Sequence, residues 1–338
     1  MAVSGLARLA TSAPAAIYPV VGKDGLAAVE DLSLHPAVSL QPTPRHASVL
    51  LVSGEIRRGD HPALRRLHDQ LPHPRATLWW RTTPAPGFPQ AENVEGDVAR
   101  AVELVWRQLM TGERRSEDNL LPDEPPAAWR GKGDHGQGGE GMMGGKPYGR
   151  PMAMTDEDQR DGLALDAYTA CFGPFLSVLP PGLLLELTLQ GDVVQSAKVL
   201  RAPFAQAVAD EPLRRVARLL RPLGLAGAAE RFQRTAAAQT GDLKILDRAL
   251  RWSGALHAIP PGLGEIAGED IRASLRRWWE QAQGIASPAS LGDGRLVDLL
   301  PGLEWSEAIL VANSFEYDRL LRLCPPDRED DGDQEDCS

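Results

Sequence analysis

Four segments of the chain carry readable hydrophobic patterns. Val49-Leu50-Leu51-Val52 is a continuous apolar run ending at Ser53-Gly54, the signature of a strand buried on both faces of a parallel sheet. His61-Pro62 then opens a helix, Pro suiting the first turn, and Leu64, Leu67 and Leu71 recur at helical spacing up to Pro72. Ala76-Thr77-Leu78-Trp79-Trp80 is a second β-prone run, so residues 48–80 predict a right-handed βαβ unit. Asp97 is placed to cap a further helix, with Val98, Ala101, Val102, Val105 and Leu109 on one face.

The second half reads differently. Leu183 to Leu189, the turn Gln190-Gly191-Asp192 and Val193-Val194 predict a β-hairpin. Helical periodicity follows: Leu213, Val216, Ala217 and Leu220 form one stripe and Arg214, Arg215, Arg218 and Arg221 the other, expected to be a solvated face paired with acids. Ile271, Leu275, Trp278 and Trp279 recur after a Glu269-Asp270 cap, with one tryptophan expected in the core and its neighbour exposed. The fold class expected is an α/β domain with a parallel sheet, followed by an α+β domain of a hairpin and helices. The divisions expected are an α/β domain over 1–112, a Pro/Gly-rich linker or docking loop over 113–161, the hairpin and helices over 162–323, and an acidic, disordered tail over 324–338.

Composition narrows the functional classes. The chain has 338 residues, 24% of them charged, and a net charge of −10, which argues against nucleic-acid binding because phosphate neutralisation needs a basic face. Its 3 cysteines, at 171, 324 and 337, form no C-x-x-C, so the chain cannot assemble a zinc or iron–sulfur site by itself. No stretch is apolar enough to span a membrane, and the N-terminus reads as mature protein.

The stretch Pro44-Arg45-His46-Ala47-Ser48-Val49-Leu50-Leu51-Val52-Ser53-Gly54, continuing from Pro62 to Arg75, resembles the B-type subunit of NADH-quinone oxidoreductase. That subunit is related to the small subunit of nickel–iron hydrogenases and carries the last iron–sulfur cluster before quinone. The resemblance resumes at Pro86-Gly87-Phe88-Pro89 and covers most of residues 40–110. It implies cluster cysteines near Ala10 to Ser12, at Thr83 and at Phe88, and none of these residues is Cys. Phe and Thr cannot replace the thiolates that tether cluster iron, so the 4Fe–4S cluster is expected to be lost.

Phe172-Gly173-Pro174, Leu183 to Leu187 and Gly191-Asp192-Val193-Val194 resemble the opening hairpin of the D-type subunit of the same complex, the relative of the hydrogenase large subunit. The resemblance implies two histidines lining the quinone headgroup site. Leu176 and Pro180 stand there instead, removing the groups that would hydrogen-bond and protonate a quinone oxygen, so quinone is expected to be lost too. Nickel ligation of the hydrogenase kind needs two C-x-x-C pairs and is excluded. The chain is therefore similar to a fused, shortened pair of these subunits. The expectation is a redox-inactive structural or coupling subunit on the cytoplasmic side of a complex I-like or hydrogenase-like assembly, membrane-associated through partners. An antiporter-like membrane subunit is the partner that the family architecture implies.

Two alternatives stay open at this stage: an accessory subunit completing the quinone pocket of a working oxidoreductase, and a small anion- or nucleotide-binding module. The glycine-rich segment 131–149 bears on the second, but it departs from a phosphate-binding loop at Glu140 and Pro147. Met142, Met143, Lys146, Tyr148 and Arg150 make it a candidate partner-docking loop instead, because those apolar groups are costly to leave in water. The seven histidines include no H-E-x-x-H, and surface or capping roles are expected for them. No catalytic residue is assigned.

Overall fold

A computed structural model describes residues 11–122, 154–157, 164–285 and 292–325. The first unit contains β1 (Ala15–Val21), α1 (Leu26–Leu32), β2 (Val38–Leu40), β3 (Val49–Ser53), α2 (His61–Asp69), β4 (Ala76–Trp80), β5 (Glu92–Val94) and α3 (Val98–Thr111). All five strands pair in parallel, in the order β2-β1-β3-β4-β5. Every residue of β3 is buried, as its unbroken apolar run requires of a central strand covered on both faces. Alternation then divides its side chains. Val49 and Leu51 pack with Val98, Val102, Val105 and Leu109 of α3, whereas Leu50 and Val52 pack with Leu64, Trp79 and Phe88. Phe175 and Phe204 of the second unit join that second cluster, so part of one sheet face is covered by the later half of the chain.

The second unit contains β6 (Met154–Glu157), β7 (Ala164–Phe172), β8 (Leu184–Gln190) and β9 (Val193–Arg201), an antiparallel sheet in sequential order. Among the described residues seven helices follow: α4 (Pro212–Leu220), α5 (Ala226–Ala238), α6 (Leu243–Trp252), α7 (Ala255–Ala258), α8 (Ile271–Ala282), α9 (Trp305–Ala312) and α10 (Tyr317–Leu323). The hairpin turns at Gly191-Asp192, with Gln190 opposite Val193. Leu185, Leu187, Val194 and Val199 of the hairpin share a core with Val216, Leu220, Phe232, Leu275 and Trp278 of the helices. The α/β first half and the hairpin-plus-helices second half are thus the fold class that the periodicity predicts.

Three expectations about particular side chains are corrected. Of the arginine stripe only Arg221 is exposed: Arg214 is 4% exposed, and its guanidinium reaches α1, donating to Glu30 Oε2 at 3.0 Å and Asp31 Oδ1 at 2.8 Å. The stripe does pair with acids, but across an interface between the units. Trp278 and Trp279 are both buried, because Trp278 Nε1 donates to Glu316 Oε1 at 2.8 Å and Trp279 Nε1 to Asp247 Oδ1 at 3.1 Å, which removes the penalty of burying a second indole N–H. His68 is neither a surface nor a capping residue: it is 1% exposed, with Nδ1 2.7 Å from Asp69 Oδ1 and Nε2 3.0 Å from Glu117 Oε2.

Candidate functional site

In open parallel sheets, ligands settle outside the carboxyl ends of the strands where the strand order reverses direction. The order β2-β1-β3 places that crevice between the ends of β1 and β3, at Gly22 to Gly25 and Ser53 to Glu55. The two loops touch backbone to backbone there. Gly54 has φ +85, and a Cβ on it would stand 2.3 Å from Lys23 O. The rest of the crevice is closed by residues 205–207, which follow β9. Asp24 N donates to Ala205 O at 3.0 Å, Gln206 Nε2 donates to Gly22 O at 2.7 Å, and Ala207 N donates to Asp24 Oδ1 at 3.0 Å. Gln206 Oε1 accepts from Leu26 N at 3.0 Å, taking the first free amide of α1. Gln206 is 1% exposed, so a side-chain amide of the chain itself occupies the position open to a ligand in folds of this order.

A second closure lies beside it. Asp60 stands just before α2 and, despite its position, does not cap the helix. Its fully buried carboxylate accepts from Arg57 Nε at 3.0 Å and from Arg201 at the end of β9 at 2.5 Å. Arg57 also donates to Ala202 O at 2.7 Å and Gly182 O at 2.6 Å, and lies over the Phe204 ring at 4.1 Å. One buried acid thereby fixes two arginines that join the units, with its charge compensated on both sides.

The positions implied by the family resemblance are not gathered around a common opening. Thr83 is exposed, whereas Phe88 is 8% exposed and meets Trp79 edge-on at 5.1 Å and His68 at 5.7 Å. Phe88, where the resemblance implies a cysteine, is part of a packed aromatic core. Leu176 is half-buried against the helical core, and Pro180 is buried. Of the segment 10–12, only Thr11 and Ser12 are described. Met142, Met143, Lys146, Tyr148 and Arg150 lie outside the described residues, as do the rest of the glycine-rich segment and residues 326–338 of the acidic tail.

Sequence reasoning missed the best-connected polar cluster of the first unit. Beyond α3, Glu117 crosses the sheet edge and accepts from Thr77 N and Thr77 Oγ1, both at 2.7 Å, besides facing His68. Burial opposes ionisation of Glu117, but the hydrogen bonds from His68 and Thr77 outweigh it and hold the carboxyl below its ordinary range. Asp69 follows the same logic: burial raises it, and the amides of Leu120 and Leu121 with His68 lower it further than burial lifts it. This cluster has catalytic residue types, yet His68 and Glu117 are closed to substrate by burial, and its effect is to strap residues 116–121 onto the sheet. An acid at 117, separated in sequence by 49 residues from His68 and 40 from Thr77, carries no local pattern that would reveal it.

Among the described residues, no group of three or more His, Cys, Asp or Glu is placed to hold a metal ion, and no helix is long and apolar enough to cross a membrane. No protein-family model matches the chain, and no curated protein matches it significantly.

Proposed function

We propose that this chain is a redox-inactive structural or coupling subunit of an assembly related to NADH-quinone oxidoreductase, acting through its interfaces. The observation that carries the reading is the closure at the strand ends by Ala205, Gln206 and Ala207, reinforced by the Arg57–Asp60–Arg201 hub. A fold that fills its ligand crevice with its own chain while keeping the surrounding strand–helix frame retains surfaces rather than chemistry. Phe88 packed between Trp79 and His68 supports the same reading, because an aromatic ring offers no thiolate to iron.

The reading is tested by anaerobic incubation of the purified chain with ferrous iron and sulfide, followed by desalting, iron analysis and visible absorption. Iron at background and no cluster absorption are expected. A stoichiometric cluster would overturn the proposal. The reading in which the chain completes a quinone pocket is favoured only by Leu176 and Pro180 sharing the loop beside the seam, and it predicts loss of quinone reductase activity when this chain alone is removed from its assembly.

A further inference from the structure

Between α1, α4, α10 and the loop that follows β7 lies a cavity of about 290 Å³. Its size is just below the ~300–1,000 Å³ of drug-sized ligand sites, which suits a smaller ligand, and it lies at a junction of units, where such sites concentrate. Val21, Leu26 and Val29 line it from the first unit and Phe175, Leu176 and Leu179 from the second, giving an apolar body. Its polar end is formed by Glu30, Arg218, Arg221 and Tyr317.

That polar end is incomplete. The side chain of Arg218 is 10% exposed, and neither of its terminal nitrogens makes a hydrogen bond. The Asp210 carboxylate stands 3.8 Å away and is already engaged, accepting from Arg215 Nε at 3.0 Å and from Tyr317 N at 3.0 Å. The guanidinium lies over the Tyr317 ring at 4.6 Å and its charge acts on the Tyr317 hydroxyl, but no hydrogen bond of normal geometry reaches that hydroxyl, on a residue 3% exposed. Arg221 on the same wall donates to Gln233, whereas Arg218 has the charges of Asp210 and Glu30 nearby but no hydrogen bond from its terminal nitrogens. An unmade hydrogen bond on a buried group is a standing cost, and here two such groups adjoin one cavity.

We propose that this cavity binds a monocarboxylate with an apolar tail or ring, its carboxylate received by the Arg218 guanidinium and the Tyr317 hydroxyl. The planar fork of a guanidinium matches a carboxylate in a bidentate pair. The nitrogens sit just behind the cavity wall, so reception involves a turn of the Arg218 side chain toward the incoming acid. Glu30 on the same wall disfavours a dianion by like-charge repulsion, which sets a carboxylate apart from free phosphate. The apolar wall supplies burial for the remainder of the ligand.

The test is calorimetric titration of the full chain with octanoate, decanoate and 4-phenylbutyrate, alongside 1-octanol and inorganic phosphate. Saturable binding of at least one acid is expected, with octanol and phosphate inert. Arg218→Gln is expected to weaken binding about tenfold or more, and Tyr317→Phe about threefold, as befits one charged and one neutral hydrogen bond. Ser177→Trp blocks the exposed rim without touching the buried charges, so it abolishes binding even where Arg218→Gln fails to fold. Failure of all three acids to bind, equal binding of octanol, or binding that survives Ser177→Trp would overturn the proposal. None of these outcomes bears on iron uptake, so this inference and the proposed function fail separately.

Discussion

The two units meet along a seam with two contrasting ends. At the strand ends, both the oxygen and the nitrogen of the Gln206 side-chain amide have partners, and Asp60 holds two arginines at once. Across the α1–α4 contact, Arg218 and Tyr317 present unmade hydrogen bonds beside an open cavity. Both ends join the first unit to the second and both bury polar or charged side chains, so burial alone does not distinguish them. Satisfaction of polar groups does. A closed polar network acts as a joint that cannot admit a ligand without losing bonds, whereas the unsatisfied end gains bonds when an acceptor enters.

The contrast can be broken at the closed end first. Asp60→Ala removes two charged hydrogen bonds to arginines that are each over a third exposed and is expected to cost about 3 kcal/mol in chemical denaturation, with the two units losing hydrogen-exchange protection together. Phe88→Ala removes a ring from the aromatic core and is expected to cost about 3 kcal/mol, where a position merely vacated by a lost ligand would tolerate the change. Gln206→Ala leaves the Leu26 amide without its partner and the Gly22 carbonyl with Gly25 N alone, for about 1–2 kcal/mol, and raises exchange of Leu26 N–H specifically.

Acid sharpens the picture at a third place. Glu117 and Asp69 are held below their ordinary range in the folded state, so their contribution is complete above the unfolded values near pH 4 and is lost as pH falls through the folded ones. Stability is therefore expected to decline below about pH 4, with a shallower decline in Glu117→Gln, as measured by denaturation midpoints across pH. The smallest effect belongs to Thr83→Ala. This exposed residue is expected to shift stability by less than about 0.5 kcal/mol, in contrast to Phe88 in the same loop.

The sequence made the strongly periodic elements legible and the seam almost wholly illegible. Val49 to Val52, the α3 stripe and the hairpin at Gly191-Asp192 stand where the pattern puts them, and Asp97 and Asp270 cap α3 and α8, accepting from Arg100 N at 3.1 Å and Ala273 N at 2.8 Å. The central strand β1 went unread because Pro19 interrupts it, and a proline inside a strand argues against pairing on both sides. The arginine stripe of α4 looked solvated because local charge patterning cannot tell water from the acids of α1, which lie over 180 residues away in sequence. Gln206 and Asp60 belong to no motif. Their roles come from where tertiary packing brings β9 and the first unit together, which periodicity does not encode.

The most direct test of the central claim is mild-detergent purification of the tagged chain from its native cells, with subunit composition and iron measured on the same sample. The account predicts stoichiometric membrane subunits of the antiporter-like kind and no iron attributable to this chain. Recovery of the chain alone, or of iron bound in stoichiometric amount to the separated chain, would contradict it.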